Sequence, residues 1–169
     1  ISSDKQVVVS HDPWMNYKFV TRPDGSAIKK GETKQYALYR MTYDSIAMYD
    51  TGSRPHPDYP DQRKLTTIKP LATDLIDAVE EFTAENGYSQ VYYNIEIKSS
   101  PGRDGVYSPP FEEFTDLAME VLLSKNLGEM LLVQCFDVRT LNYLHKKYPG
   151  VRLSYLVDKN QPDFEANMA

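Results

Sequence analysis

A single cysteine, Cys135, stands among 169 residues, so no disulfide can close within the chain and no thiolate cluster can hold a metal. No apolar run approaches the roughly 18 residues that span a bilayer. Positive charge is scarce too: 19 Lys and Arg against 24 Asp and Glu leave a net charge of -5. That balance argues against a general nucleic-acid binder or a polybasic membrane binder. An anionic substrate stays open, because a bound cation can reverse the local sign. No glycine-rich phosphate fingerprint follows any strand-like segment, which disfavours a dinucleotide-binding sheet. No signal peptide is visible after Ile1. The segment Phe164–Ala169 carries no stop signal after a packed element. Both ends read as cuts through a larger protein. What remains, 41% hydrophobic and 25% charged residues, fits a folded domain.

The most informative stretch is Val91–Lys98 (VYYNIEIK). β-Branched and aromatic residues fill it, and Asn86-Gly87 and Ser99-Ser100-Pro101-Gly102 bound it, so it reads as a strand. Alternation places Asn94, Glu96 and Lys98 on one face and Tyr93, Ile95 and Ile97 on the other. Amide, carboxylate and ammonium in a row suit a site for something charged. The same alternation fits a half-exposed strand with a solvated outer face.

Upstream, Gln6–Ser10 reads as a short buried-type strand that delivers His11-Asp12-Pro13, where Pro13 must end any ladder. The Asp12 carboxylate can fix the imidazole tautomer of His11. Residues 14 to 69 form an irregular inserted region. It contains a turn at Arg22–Ser26, a short helix or turn within Tyr39–Tyr49, and a proline-rich extended loop at Arg54–Gln62. A loop of that length is uncommon in a compact domain unless it is functional.

Regular periodicity follows. Pro70 opens a helix with the stripe Leu71, Leu75, Val79 and Phe82, stopped by Asn86-Gly87. A second helix from about Pro110 has the stripe Phe114, Leu117, Val121 and Leu122 and ends by Gly128. Met130–Phe136 reads as a buried strand. Asp137 is a plausible N-cap for a third helix with Leu141 and Leu144 inward, closed by Pro149-Gly150. Val151–Val157 is the last strand. Helices alternating with short apolar strands imply parallel βαβ units. The strands' C-terminal ends then share one side, where parallel α/β folds carry chemistry. Glu96, Lys98, Gln134 and Phe136 share that edge.

Val7-Val8-Val9-Ser10-His11-Asp12-Pro13, followed by Asn94-Ile95-Glu96-Ile97-Lys98, resembles the glycerophosphodiester phosphodiesterases. Val133–Asp137 and Leu153–Val157 match in the same order. The loop through His56-Pro57 and Tyr59-Pro60-Asp61-Gln62 resembles the insert these enzymes carry. The resemblance covers essentially the whole chain. It implies an α/β fold of the (β/α)8 TIM-barrel type, of which this chain covers only part, since a barrel takes roughly 250 residues. The family's earlier His-Arg-Gly and Glu-x-Asp motifs are not in this sequence, so the chain resembles the middle of such an enzyme.

By resemblance, His11 corresponds to the second of two catalytic histidines, Glu96 to a metal ligand and Lys98 to a basic residue lining the phosphate site. Asp12 corresponds to an orienting or substrate-side residue, and Phe136 to a wall near the substrate. Cys135 stands where the family has Ser, with no functional consequence. The implied cofactor is a divalent metal, Ca2+ or Mg2+. The implied reaction is metal-dependent hydrolysis of a small-molecule glycerophosphodiester to glycerol 3-phosphate and an alcohol. Carboxylates hold a hard cation, histidines near neutral pKa move protons, and Lys98 adds charge beside the phosphate. Two alternatives stand: a phospholipase-D-like lyase of the same fold that forms cyclic phosphates, and a non-catalytic phosphate-binding barrel. No nucleic acid and no stable membrane insertion are expected, and the oligomeric state is open. Resemblance favours a periplasmic or secreted location.

Overall fold

Three parallel strands, β1 (Tyr93–Glu96), β2 (Leu131–Cys135) and β3 (Arg152–Tyr155), pair in the order β1-β2-β3. They are the spine of a computed structural model that describes residues 1–158. The expectation for Phe164–Ala169 lies outside the described residues. Helix α1 (Tyr43–Ala47) belongs to the early region. Helix α2 (Ala72–Glu85) precedes β1, α3 (Phe111–Ser124) joins β1 to β2, and α4 (Val138–Lys147) joins β2 to β3. The alternating helix and strand order expected from the sequence is therefore present.

Register sorts the side chains. Tyr93 pairs with Leu131, Ile95 with Val133 and Glu96 with Gln134. Val133 then pairs with Leu153 and Gln134 with Ser154. Paired residues share a face, so Tyr93, Ile95, Leu131, Val133, Cys135, Leu153 and Tyr155 line one side. They pack with Ile76 of α2, Ala118, Met119 and Leu122 of α3, and Leu141 and Leu144 of α4. Asn94, Glu96, Gln134, Arg152 and Ser154 line the opposite face together with Leu132. An ordinary parallel sheet is apolar on both faces; here one face is mostly polar.

The helix ends follow local chemistry. The Asp137 carboxylate accepts from the Arg139 amide at 3.1 Å and caps α4. Gly87, just past α2, has φ +66, a left-handed conformation that glycine enters without a Cβ penalty. Asp116 of α3 accepts from Tyr143, Lys147 and Tyr148 at 2.7–3.1 Å, tying α3 to α4.

Three sequence expectations need correction. The stripe of α2 is rotated: Ile76 and Thr83 are buried and Val79 packs beside them, while Leu75 is exposed and Phe82 is 57% exposed. Phe82 instead meets Tyr88 at 5.8 Å between ring centroids. In α3 the buried set is Thr115, Ala118, Met119 and Leu122, so Leu117 and Val121 sit at the margin. Apolar residues flank the true seam on both helices, and packing against the sheet selects the row. The strand expected at Gln6–Ser10 does not join the sheet. Val8 makes an isolated antiparallel bridge with Leu71, with the Val9 amide bonded to Pro70 O and the Ala72 amide to Val7 O. Its backbone groups are satisfied by the chain leaving the insert, not by β1.

The early region has few regular elements, among them 3-10 turns at Lys30–Tyr36 and Leu38–Arg40 and the short α1. It nevertheless has a core of its own, Met15, Val20, Ile28, Leu38 and Ile46, with Tyr17, Phe19, Tyr36 and Tyr49 packed around it. Its base is tied by Lys69, only 7% exposed, whose Nζ donates to Ser10 Oγ at 2.8 Å. Burial lowers the Lys69 ammonium to about 8, and the Asp12 carboxylate opposes that fall.

Two measurements check this account. Ile76→Ala should cost about 2–5 kcal/mol in urea unfolding, whereas Phe82→Ala should stay within about 1 kcal/mol; equal losses would contradict the rotated stripe. The depressed Lys69 pKa has a definite sign: between about pH 8 and 10 the unfolded chain binds the extra proton, so unfolding free energy rises with pH across that window. The gain is of the order of 3 kcal/mol, and Lys69→Met should remove this rise relative to the parent protein.

Candidate functional site

The polar face of β1 leads directly into the site. Glu96 and Lys98 lie two residues apart on an extended chain, so their side chains leave the same face and meet. Lys98 Nζ sits 2.7 Å from Glu96 Oε2, and both side chains are mostly buried. An incoming anionic oxygen can take the ammonium, and an incoming cation can take the carboxylate.

His11 reaches the same region from the other arm of the molecule. Its ring is 87% exposed, and Nδ1 lies 3.3 Å from Asp12 Oδ1. The second Asp12 oxygen accepts from Asn16 Nδ2 at 2.7 Å. Burial pushes the Asp12 carboxyl up, but the bonds from Asn16 and His11 and the charge of Lys69 outweigh it and hold the group below its usual range. An ionised Asp12 favours a proton on Nδ1, which leaves Nε2 as the open nitrogen. The turn itself is fixed by Ser10, whose Oγ donates to Asp12 O at 2.6 Å.

A cavity of about 370 Å³ is lined by His11, Glu96 and Lys98, together with Val7–Ser10, Asn94 and Phe114. The structure thus brings three of the candidate residues, 87 positions apart at the extremes, around one space. A cleft of about 40 Å³ adjoins it, where Lys98 meets His11, Asp12, Arg103 and Ser108. The Ser108 hydroxyl is buried without a hydrogen-bond partner among the described residues. Phe136 lines neither space; it is 49% exposed at the end of β2.

A broader cavity of about 870 Å³ opens on the insert side, from His11 and Asp12 to Arg54, His56 and Tyr59. His56 packs between Phe19 and Tyr59, at 5.0 and 4.8 Å between centroids. The proline-rich loop that forms this wall is pinned at its base. Thr51 N bonds Thr67 O and Leu65 N bonds Gly52 O. A Cβ on Gly52 would meet Leu65 O at 2.3 Å, so only glycine permits that approach. Asp50 accepts from the Gly52, Ser53 and Thr67 amides. Hydrogen bonds from Ser53 and Gly52 lower its carboxyl to about 2.

Sequence reasoning missed Lys69, Asn16, Arg103 and Ser108. Asn16 had a weak signal, four positions from Asp12. Lys69, 59 positions from Ser10, had none. Cys135 is inert: its buried thiol donates to Ile97 O at 2.9 Å, and burial raises its pKa.

A hard divalent cation needs several oxygen ligands. Among the described residues no group of three His, Cys, Asp or Glu gathers to hold one. Glu96 supplies a single carboxylate, already paired with Lys98. These residues do not by themselves form a metal site.

No family model matches the chain, and no curated protein matches it. Solved structures do. A protein assigned as a glycerophosphoryl diester phosphodiesterase from Silicibacter pomeroyi superposes with TM-score 0.77 at 21% identity, over 93% of this chain and 52% of that one. A phosphodiesterase from Oleispira antarctica, solved with the product sn-glycerol-3-phosphate, gives 0.65 at 19% identity, over 99% and 56%. A glycerophosphodiester phosphodiesterase from Parabacteroides distasonis gives 0.51 at 13% identity, over 88% and 45%. The chain spans about half the length of these proteins. Its three parallel strands and alternating helices have the fold of part of a glycerophosphodiester phosphodiesterase TIM barrel.

Proposed function

We propose that this chain is part of a phosphoric diester hydrolase that splits glycerophosphodiesters into glycerol 3-phosphate and an alcohol. The observation that carries the proposal is the cavity where His11, Glu96 and Lys98 meet, at the C-terminal end of β1. In TIM barrels chemistry sits at that end of the strands. A fold neighbour holding sn-glycerol-3-phosphate adds support from the product side.

The roles follow from the chemistry of the groups. Lys98 takes a non-bridging phosphate oxygen and offsets charge that builds up in the transition state. His11, with Nδ1 turned to Asp12, moves a proton at Nε2, either from the attacking water or to the departing alkoxide. Asp12 keeps the ring oriented and stabilises the imidazolium. Phe136, exposed beyond β2, would give an apolar wall once the substrate is seated.

Metal dependence belongs to the same proposal. Glu96 would contribute one carboxylate to a Ca2+ or Mg2+ ion whose other ligands come from outside the described residues. Such an ion supplies positive charge to the phosphate when bound. The location proposed is periplasmic or secreted, and the substrate is a soluble small molecule.

In the full-length protein, Glu96→Gln should abolish metal-dependent release of glycerol 3-phosphate, a loss of at least about a hundredfold, even with excess metal. Near-normal turnover at saturating metal would remove Glu96 from the ligand set. Phosphorus NMR of the products separates the reactions: a glycerol 3-phosphate signal is expected, and a cyclic phosphate would show that a lyase is at work.

A further inference from the structure

We infer that Lys69 is a positioning residue for His11, holding the Ser10-His11-Asp12 turn from the far end of the insert. The inference rests on the hydrolase reading above and adds a residue outside the His11, Glu96 and Lys98 set.

The donor count of one hydroxyl fixes the direction of both of its hydrogen bonds. Ser10 Oγ lies 2.8 Å from Lys69 Nζ and 2.6 Å from Asp12 O. An ammonium has protons to give and no lone pair to accept with. The Ser10 oxygen must therefore accept from Lys69, and its single proton has one place to go, the Asp12 carbonyl. Lys69 thus fixes a rotor that would otherwise choose among partners, and the fixed rotor closes the turn on which His11 stands. Asp12 is held a second time through its side chain, by Asn16 at 2.7 Å. The His11 ring is exposed and touches Asp12 at 3.3 Å, so the backbone turn is what sets its direction.

The placement of the ammonium supports this. Lys69 is buried, and no carboxylate among the described residues forms an ion pair with it: its side-chain partner there is a neutral hydroxyl, and the Phe19 ring lies 5.9 Å away. Burying a cation without an ion-pair partner is unfavourable. A methionine would fill the same space without that penalty, so the charge is costly as structure and useful for aiming the Ser10 hydroxyl. The two ends of the insert are also joined here, since Ser10 precedes it and Lys69 closes it. Movement of the insert is thereby coupled to the imidazole.

Charged and titratable groups around His11 are Asp12 on its own turn, the Ile1 amino group, Tyr93 and Glu96 from β1, Lys98 just beyond it, Arg103 and Tyr107 from the following loop, and Lys18, Arg54, His56, Asp58, Tyr59 and Asp61 from the insert. Lys69→Met and Ser10→Ala leave all of these in place.

The test uses the full-length protein with glycerophosphoethanolamine and compares Lys69→Met, Ser10→Ala and the double variant. Expected is a fall in kcat of about ten- to a hundredfold with KM unchanged in each single variant. The double variant should be no slower than the worse single one, because both cut the same link. The melting temperature of Lys69→Met should hold or rise. A kcat within twofold of the parent in either single variant overturns the inference. So does a Lys69→Met variant whose melting temperature drops while Ser10→Ala keeps full activity. Nitrogen-15 NMR of the His11 ring decides even for a protein that hydrolyses nothing. The parent should show the Nδ1-protonated tautomer, and both variants a mixture. Unchanged ring signals in the variants overturn the positioning role, whereas absent hydrolysis by the parent counts against the hydrolase reading alone.

Discussion

Parallel pairing of β1 with β2 is the constraint from which the rest of the site follows. Once Tyr93 is opposite Leu131 and Glu96 opposite Gln134, every odd-numbered residue of β1 must face the helices. The alternation leaves no choice for Asn94, Glu96 and Lys98. A slip of one residue would drive Glu96 and Lys98 into the Ile76, Met119 and Leu122 layer, where two charges would lose water with no hydrogen-bond partners to replace it. The apolar row therefore defends the polar row. The helix-facing side is further locked by Tyr93, whose hydroxyl donates to Glu80 Oε1 at 2.6 Å; burial and that carboxylate raise the phenol's pKa.

The insert is held by different physics. It lacks periodic pattern, yet closes around Met15, Val20, Ile28, Leu38 and Ile46. Its order comes from many local turns and aromatic contacts, with Asp50 and Gly52 pinning one loop and Arg22 bridging Tyr36 and Glu32. Such a region can vary in its loops without disturbing the strand that carries Glu96 and Lys98. It also presents a large wall beside His11.

Tight charge pairs elsewhere tie loops to the frame and carry no chemistry of their own. Arg139 is shared between Asp137 at 2.7 Å and Asp104 at 3.0 Å, and its guanidinium lies over Phe111 at 4.5 Å. The hydrogen bond to Arg139 holds the Asp137 carboxyl below its usual range. That cluster fastens the loop after β1, and with it Arg103 and Ser108, to the start of α4. The contrast with Glu96 and Lys98 is one of surroundings: the Arg139 pairs close on themselves, whereas Glu96 and Lys98 face a cavity.

Much of the frame was legible in the chain itself. Strand alternation, the Asn86-Gly87 stop and the Asp137 cap are local effects, and they placed the order of elements and the faces of β1. The His11-Asp12-Pro13 and Asn94–Lys98 segments stood out as candidates because reactive groups cluster in short runs there, and His11, Glu96 and Lys98 line one cavity. Tertiary structure alone decided which apolar row of α2 is buried, because Leu75 and Ile76 are equally apolar and only contact with the sheet separates them. It alone removed Gln6–Ser10 from the sheet, since a strand needs a neighbour and the neighbour here is Leu71. It alone joined Lys69 to Ser10 across 59 positions, because a hydrogen bond between distant segments leaves no periodic trace in either of them.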